Sequence, residues 1–472
     1  MNAWHAFVLG LAFVCGACAL GSRPAWEQPP PPIAEGPVVP QQRLHRATLP
    51  NGLSVLVLED HALPRVAAGL LTRRGAASES LAEAGIASLT LDTMKRGAGA
   101  RDALALARAV DEMGASLSAG AGWDSASVGV SGLSEDSDAL FALLADVVRR
   151  PRFEAGEVAR ARSEQLASFE QQKDEPHAVA GNQMAHVLYD GHRYGLPTDG
   201  EPGSVARLDA AALRQWHARL FTPEQSIVYV VGDMSRDAAI ARVQALFGDW
   251  APAPGLEPGP PPPERTPDTR RVVIVDRPDL AQAQLLFGHE GIARRDPERI
   301  AADMMNTLLG GGGFLSRLMT KVRAEEGLAY GIGSGFSLRW YPGPFLISTS
   351  TRASEAGRVV ELVLAELGRM TSEPPDIADL QLVKSFSAGR FVLGLETSTA
   401  IAGGLVDLDV YGLPPDSLDT YRTRVQAVTV ADLVAAAEER LHPERIAIVA
   451  VGPAETLRPQ LERFGPVVVI QP

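Results

Sequence analysis

Cysteine is almost absent from this chain of 472 residues: Cys15 and Cys18 are its only two cysteines, and both lie within the first 20 residues. The rest of the sequence therefore offers no thiol for a disulfide bond or for a thiolate metal site. A body without thiols suits a chain that is exported to the periplasm.

Positive charge is also in deficit, with 44 Lys and Arg residues against 57 Asp and Glu residues and a formal net charge of -13. This balance argues against a phosphate-backbone partner, and hence against nucleic-acid binding, and it offers no basic tail for anionic lipid. At 472 residues, 46% of them hydrophobic, the chain exceeds what one hydrophobic core usually organises. We therefore expect a globular protein of two or more domains.

The N-terminus lacks an apolar run long enough to span a membrane as a helix. Residues 1–21 are apolar and end in small residues, which predicts a signal peptide, although their first positions carry no Lys or Arg. The stretch Cys15-Gly-Ala-Cys18 resembles a bacterial lipobox, in which Cys18 would be lipidated. Simple cleavage and lipid anchoring both remain open. The predicted location is the periplasm, or the outer membrane of a Gram-negative bacterium if Cys18 carries a lipid.

Proline is concentrated in two stretches that predict domain boundaries. Residues 22–42, with four consecutive prolines, predict an extended tether that holds the body away from its anchor. Residues 251–270 are rich in Pro and Gly and predict a linker. The predicted domains are therefore an N-terminal domain at 43–250 and a C-terminal domain at 271–472.

The two predicted domains end alike, which indicates an internal duplication. The segments 222–232 and 442–452 superpose with a constant offset of 220 residues and share Pro, Glu, Val and Gly positions. A helical stretch precedes each segment and begins with an N-cap candidate, Asp209 in one domain and Thr429 in the other. Because β-branched runs alternate with Ala- and Leu-rich helical stretches, the predicted fold class is α+β.

The segment Ala84–Gly97 is similar to the signature helix of the insulinase/pitrilysin family of metallopeptidases, which normally reads Gly-Leu-Ala-His-Phe-Leu-Glu-His before a Lys-Gly turn. The resemblance covers nearly all of residues 43–460. It implies two homologous α+β sandwich domains, each with a mixed or antiparallel sheet packed with helices, that form a clamshell. Other segments that follow the family's order are 48–58, 114–118, 151–153, 192–197, 230–232, 308–318 and 323–330.

The chemistry of this family depends on a His-x-x-Glu-His helix, in which both His ligate zinc and the Glu activates water. The resemblance places Ser88 and Asp92 where the two His stand, and Leu91 where the Glu stands. The third ligand position falls on Ser168, or on Glu170 if the alignment shifts by two residues. Hydroxyls are poor zinc ligands and Leu91 cannot act as a base, so we expect this chain to bind no zinc.

The second half keeps Arg323 and Tyr330, which match a pair that faces the zinc site across the family's cavity. A guanidinium and a phenol can donate to a substrate carbonyl and to the oxyanion that forms as water attacks. The structural alternative is that Arg323 caps a helix and Tyr330 fills a strand face. The run Gly310–Gly313 predicts a close-packed turn rather than a phosphate site, because no Lys-Ser/Thr pair follows it.

Some bacterial enzymes of this family divide the work between two chains, one with zinc and one with the Arg/Tyr pair. The resemblance therefore implies a zinc-less, substrate-binding subunit of a heterodimeric zinc metalloendopeptidase that degrades or processes peptides. Arg323 and Tyr330 would act in trans, and the zinc would belong to a homologous partner with an intact His-x-x-Glu-His motif. The alternatives are a non-enzymatic peptide-binding or scaffold protein of the same fold, and an atypical standalone peptidase.

Overall fold

The computed structural model of the chain describes residues 36–262 and 269–471. The predicted signal peptide with Cys18, the predicted tether up to residue 35, and linker residues 263–268 lie outside the described residues. The described part contains two mixed sheets packed with helices. The predicted α+β class is therefore confirmed.

The first half builds one sheet. Its strands are β1 (Leu44–Thr48), β2 (Ser54–Glu59), β3 (Arg65–Thr72), β4 (Gly97–Ala98), β5 (Arg101–Asp102), β6 (Ser116–Ala121), β7 (Ala126–Leu133) and β8 (Ser226–Gly232). β4 and β5 pair only with each other, and the other six form a sheet in the order β1-β2-β8-β3-β7-β6. The β2–β8 pair is parallel and the remaining pairs are antiparallel.

The second half builds a matching sheet. Its strands are β9 (Arg271–Asp276), β10 (Gln282–Glu290), β11 (Ala329–Phe336), β12 (Pro344–Arg352), β13 (Ala447–Gly452) and β14 (Val467–Ile470). Their order is β11-β12-β10-β13-β9-β14, which matches the first sheet read from β6 to β1. The outermost strand differs in origin, because β1 begins its half whereas β14 ends its own.

The registers of the two sheets also match. Glu59 lies opposite Gly232 in the parallel pair of the first sheet, and Asp276 lies opposite Gly452 in that of the second. Gly232 and Gly452 are 220 positions apart, which is the offset seen in the sequence. The edge strands differ, because β1 runs antiparallel to β2 whereas β14 runs parallel to β9. The matching order and register of the other five strands support the internal duplication, since a one-residue slip would move every side chain to the opposite face.

Helices cover both faces of the sheets. They are α1 (Ile86–Met94), α2 (Ala103–Glu112), α3 (Ser137–Arg149), α4 (Ala155–Gln172), α5 (Pro176–Tyr189), α6 (Pro202–Val205), α7 (Ala210–Leu220), α8 (Arg236–Phe247), α9 (Arg299–Asn306), α10 (Ala356–Ser372), α11 (Ile377–Leu393), α12 (Ser398–Tyr411), α13 (Ser417–Ala427), α14 (Val430–Arg440) and α15 (Ala454–Leu461). The predicted caps are confirmed: the Asp209 carboxylate accepts from the amide of Ala212, and the Thr429 hydroxyl accepts from that of Asp432.

The principal core of the first half lies between its sheet and helices α1, α3, α7 and α8. Strand β7 shows why: Ala126, Val128 and Val130 are buried, while the residues between them are half-exposed. This period of two turns one face of the strand toward the helices. Each fully buried aliphatic side chain contributes roughly 1.5–3 kcal/mol to folding.

The two halves exchange helices. Helix α5 belongs to the first half but packs on β10 and β13 of the second sheet, while α12 belongs to the second half but packs on β8 of the first. Met184 of α5 lies so close to the second sheet that a Cβ on Gly288 would come within 2.8 Å of its sulfur. In the first sheet, Leu56, Leu58 and Ile227 share an apolar cluster with Ile401, Leu405 and Val406 of α12.

The end of the predicted tether is part of the folded body. Asp419 of α13 accepts hydrogen bonds from the amides of Val38 and Val39 at 2.8 and 2.9 Å, and the Val39 side chain is buried. The expected extended spacer is therefore corrected at this end. The start of the linker is also anchored, since Leu256 is buried in the first half and its carbonyl accepts from Arg74 and Gln225.

Among the described residues, no single helix combines the length and apolar composition needed to cross a membrane. The bent pair α11 and α12 meets those criteria together, by length and composition alone.

Candidate functional site

A buried carboxylate holds the N-terminus of the signature helix α1. The Glu79 side chain accepts from the amides of Gly85 and Ala87 at 2.9 and 2.8 Å, which satisfies donors that the first turn of a helix leaves free. Arg193 pairs with the same carboxylate at 2.7 Å, and both side chains are shielded from solvent. Burial raises the pKa of Glu79, and the Arg193 charge and the two amides oppose that rise.

The three signature positions of α1 hold structural side chains. Leu91 is 0% exposed and belongs to the core of the first half. The Ser88 hydroxyl donates to the Asp199 carboxylate at 2.8 Å. Asp92 is partly exposed and faces Arg96 one turn further along the chain. None of the three carries an imidazole, and the one carboxylate among them, that of Asp92, is in an ion pair.

The Asp92 carboxylate is occupied by cations of the protein itself. Arg96 donates to it at 2.6 Å, and Lys95 lies 3.2 Å from its other oxygen. The same Arg96 guanidinium donates to Glu164 of α4 at 2.6 Å, which holds the pKa of Glu164 below its usual value. An arginine therefore bridges the two helices that carry the positions of the family's zinc ligands.

The third ligand position offers little to a metal. The Ser168 hydroxyl donates to the carbonyl of Gln165 in its own helix at 2.8 Å. Glu170, the alternative, is exposed and pairs with Lys173 at 2.8 Å. Among the described residues, no three His, Cys, Asp or Glu side chains come together as a metal site would require. A zinc ion with the family's ligand set does not fit these residues.

The second half presents the Arg323 and Tyr330 pair in the open. The Arg323 guanidinium lies 5.0 Å from the ring centroid of Tyr330 and 4.6 Å from that of Phe314. Both rings are strongly exposed, Tyr330 at 89% and Phe314 at 72%. In residues 36–262 and 269–471, no group accepts a hydrogen bond from the Arg323 guanidinium or from the Tyr330 hydroxyl. We call these three residues the Arg–aromatic cluster.

The backbone around the Arg–aromatic cluster is unusual. Two π-helical segments, Thr307–Gly311 and Met319–Glu325, flank the glycine run, and Arg323 lies in the second. Such helices are rare and occur often at functional sites. Gly310 has a packing reason: a Cβ there would lie 2.4 Å from the Ser334 hydroxyl oxygen of β11. The run therefore forms a close-packed connection, as its sequence predicts.

The chemistry available in the two halves differs. The first half holds its carboxylates in ion pairs, so the described residues around α1 supply neither a base nor a ligand set for hydrolysis. The second half offers an exposed phenol at Tyr330 and a half-buried guanidinium at Arg323 on neighbouring elements. The two rings between which Arg323 is stacked limit its movement. A guanidinium and a phenol in this arrangement can bind a peptide carbonyl or stabilise an oxyanion.

Sequence reasoning missed three parts of this arrangement. The pairing of Asp92 with Arg96 had a signal, since opposite charges four residues apart on a helix are neighbours. Phe314 follows the glycine run, and no sequence pattern indicated its contact with Arg323. The Glu79–Arg193 pair joins residues 114 positions apart, and no local sequence pattern predicts such a pair.

Comparisons with known proteins agree with this architecture. A family model described as insulinase (peptidase family M16) matches residues 54–201, and one described as peptidase M16 inactive domain matches residues 207–386. An uncharacterized zinc protease of Mycobacterium leprae is 25% identical over 413 residues, 86% of this chain and 91% of that protein. One of Mycobacterium tuberculosis is 27% identical over 416 residues, 86% of this chain and 93% of that protein.

Solved structures extend the comparison. A peptidase M16 inactive domain from Pseudomonas fluorescens has a TM-score of 0.81 and 30% identity, and the match covers 87% of this chain and 98% of that one. A protease from Helicobacter pylori has a TM-score of 0.80 at 20% identity, over 87% and 99% of the two chains. The periplasmic protease PqqL from Escherichia coli, at 0.75 and 17%, matches 92% of this chain with 48% of its own length. The last two likenesses concern the fold alone.

Proposed function

Because the chain belongs to the insulinase (peptidase M16) family, with an N-terminal and a C-terminal M16 domain, we propose that it is the zinc-less, substrate-holding subunit of a two-chain zinc metalloendopeptidase. In this proposal the zinc and the catalytic base belong to a homologous partner with an intact His-x-x-Glu-His motif. Arg323 and Tyr330 complete the partner's active site in trans.

The observation that carries the proposal is the contrast between Asp92 and Tyr330. Asp92 stands at a metal-ligand position of the family, yet Arg96 and Lys95 neutralise it. Tyr330 stands at a substrate-binding position of the family, is 89% exposed, and keeps its hydroxyl free within the described residues. If the chain had lost all function, nothing would favour keeping only the substrate-binding donors available.

The roles of the two donors follow from their chemistry. In the ground state, Arg323 binds a carbonyl of the peptide and Tyr330 holds the chain beside it. When water attacks, negative charge collects on the scissile carbonyl oxygen, and preorganised donors act most strongly on that developing charge. The partner supplies the attacking water, since the α1 region has no group to activate it. Export to the periplasm and lipid attachment through Cys18 remain part of the proposal.

The test is reconstitution of the peptidase from two purified chains. We expect a homologue with the intact motif, chosen first from a neighbouring reading frame, to hydrolyse a fluorogenic peptide only when this chain is present. Arg323→Ala and Tyr330→Phe should each reduce the rate of the complex by about 100-fold, as the removal of one oxyanion donor does. Elemental analysis should find the zinc in the partner chain.

The matched control is Arg108→Ala, because Arg108 is an exposed arginine of α2 with no ion pair among the described residues. It should leave the rate of the complex unchanged. Full activity of the complex with both Arg323 and Tyr330 replaced would refute the catalytic role. Tight peptide binding without hydrolysis, whichever homologue is added, would favour the scaffold alternative instead.

A further inference from the structure

A cleft of about 890 Å³ opens in the second half, away from α1 and from the Arg–aromatic cluster. It lies between helices α9, α11, α12 and α13 and the end of strand β11. Its volume falls within the range of ligand-binding sites in proteins. The walls combine two chemistries, a set of arginines and a set of aromatic and aliphatic side chains.

The charged wall is strongly one-sided. Arg295, Arg390 and Arg424 line the cleft and are exposed, and none of them has an acidic partner within the described parts of the chain. Two more lining arginines have one: Arg294 pairs with Asp407, and Arg299 with Asp303. In a chain with a net charge of -13, such a concentration of unpaired guanidinium groups is a local exception. Cleft walls of one sign focus the field and attract the opposite charge.

The apolar wall of the cleft can receive apolar side chains of a ligand. The rings of Phe391 and Tyr421 stack with their centroids 4.2 Å apart and face the cleft together with Phe336, Phe386 and Leu395. The Tyr421 hydroxyl makes no hydrogen bond to any other group in the described ranges, although its ring is mostly covered. A ligand that uses both walls therefore carries anionic groups, such as carboxylates, for the arginines and apolar groups for the rings.

The position of the cleft points to a peptide. Strand β11 carries Tyr330 near its start, and Ser334, Gly335 and Phe336 at its end line the cleft. At about 3.3 Å per residue, the two sites lie roughly 20 Å apart along one strand. A register shift between Ala329 and Ile332 turns Tyr330 to the face opposite that of Ser334 and Phe336. Because β11 is the edge strand of its sheet, an extended peptide that follows this edge from the Arg–aromatic cluster reaches the cleft within its next several residues.

We propose that this cleft is a subsite for acidic peptide segments, in which Arg390 and Arg424 bind Glu or Asp side chains and the Phe391–Tyr421 pair receives a neighbouring apolar side chain. The proposal rests on the proposed function, since it names the class of peptide that the subunit holds. It makes peptides with acidic residues several positions from the scissile bond the preferred substrates. Guanidinium groups suit this role because they bind carboxylates with two parallel hydrogen bonds.

The test measures peptide binding to the purified chain alone, by fluorescence anisotropy. The probes are a labelled peptide of eight residues, the length of β11, that alternates Glu with Leu or Phe, and its counterpart with Gln for Glu. We expect the acidic peptide to bind at least about tenfold more tightly and to lose affinity as salt is added. The double variant Arg390→Glu/Arg424→Glu should abolish that preference. Within the described residues, neither arginine has an acidic partner that the variant would leave unpaired.

Arg108→Glu, a charge reversal of an exposed arginine on α2, is the matched control and should keep the preference. Equal affinity for the two peptides, or an acidic preference that survives the double variant, would overturn the proposal. A third probe, the decanoate anion, tests a ligand that is not a peptide. Binding of decanoate that depends on Arg390 and Arg424, without binding of the acidic peptide, would also overturn it.

This readout is separate from that of the proposed function. Loss of acidic preference in the double variant, together with hydrolysis that ignores Arg323 and Tyr330, would support the cleft and refute the role in trans. Hydrolysis that depends on Arg323 and Tyr330, together with no preference for the acidic peptide, would support the role in trans and refute the cleft as an acidic subsite.

Discussion

The two halves share a strand order and a strand register, yet they use polar side chains in opposite ways. In the first half, Glu79 is buried against Arg193, and Asp92 and Glu164 share Arg96. In the second half, Arg323 and Tyr330 have no hydrogen-bonding partner for their side-chain donors among the described residues and lie at the surface. The polar side chains at the family's zinc positions are thus engaged within the first half, whereas the donors of Arg323 and Tyr330 have no hydrogen-bond acceptor among the described residues.

This difference fits the proposed division of roles, in which the first half no longer supports zinc chemistry and the second half still binds substrate. In the first half, Leu91 packs in the core at the position where the family's motif has its catalytic base. Such packing stabilises the helix but rules out a carboxylate there. An exposed donor such as the Tyr330 hydroxyl contributes little to stability, which is consistent with the substrate-binding role proposed for it.

The largest effect is expected from Glu79→Ala. It leaves the buried Arg193 without its carboxylate partner and uncaps α1, which should lower the free energy of unfolding by about 3–5 kcal/mol. Urea denaturation followed by circular dichroism measures it. Glu112→Ala, at an exposed glutamate of α2, should stay within about 0.5 kcal/mol of the wild type. Equal midpoints for the two variants would mean that the buried pair does not hold the signature helix.

Restoring the missing base should also damage the fold. Leu91→Glu places a carboxylate in the core of the first half, where it must be desolvated or protonated, and we expect a loss of about 3 kcal/mol. Leu104→Glu, at an exposed leucine of α2, is the matched control and should change the unfolding midpoint little. A Leu91→Glu variant as stable as the wild type would show that α1 could still accept the family's motif.

Acid should weaken both halves, with the largest contributions from His217 in the first and His289 in the second. Burial lowers the pKa of His217 to about 4 and that of His289 to about 3. Since the unfolded chain takes up these protons near pH 6.5, stability is present above that pH and is lost as the pH falls toward the folded values. At pH 5 each histidine should account for about 1–2 kcal/mol.

Thermal unfolding at pH 7 and pH 5 tests this expectation. His217→Gln and His289→Gln should each reduce the difference between the two pH values, whereas the exposed His177→Gln should not. An unchanged pH dependence in both variants would place the acid sensitivity elsewhere.

The smallest effect is expected from Arg96→Gln. The ion pairs it removes are partly exposed, so stability should fall by no more than about 1 kcal/mol. The variant removes the arginine between Asp92 and Glu164, and Lys95 remains beside Asp92. Two carboxylates without an imidazole are a poor zinc site. Elemental analysis should therefore find zinc well below one atom per chain in both the wild type and the variant. Stoichiometric zinc in either would contradict the asymmetry between the halves.

The architecture was largely predictable from sequence, because it rests on local and periodic signals. The offset of 220 residues, the caps at Asp209 and Thr429, and the alternation of β-branched and helical runs all correspond to observed features. The altered signature positions Ser88, Leu91 and Asp92 could be read directly from the sequence, since they lie close together in one helix.

What escaped prediction depends on contacts between distant residues. Arg193 meets Glu79 only after the chain has folded, and the exchange of α5 and α12 follows from apolar sheet faces that periodicity cannot assign to a partner. The cleft is likewise assembled from four helices. Proline content suggested a free tether, but it could not reveal that Asp419 would bind the amides of Val38 and Val39.

The exchange of α5 and α12 makes the covalent link between the halves almost dispensable. Each half alone would expose the sheet face that the other half's helix covers, so neither is a self-sufficient folding unit. A chain cut within the linker should remain a tight complex of two fragments, and the fragments, expressed separately, should find each other.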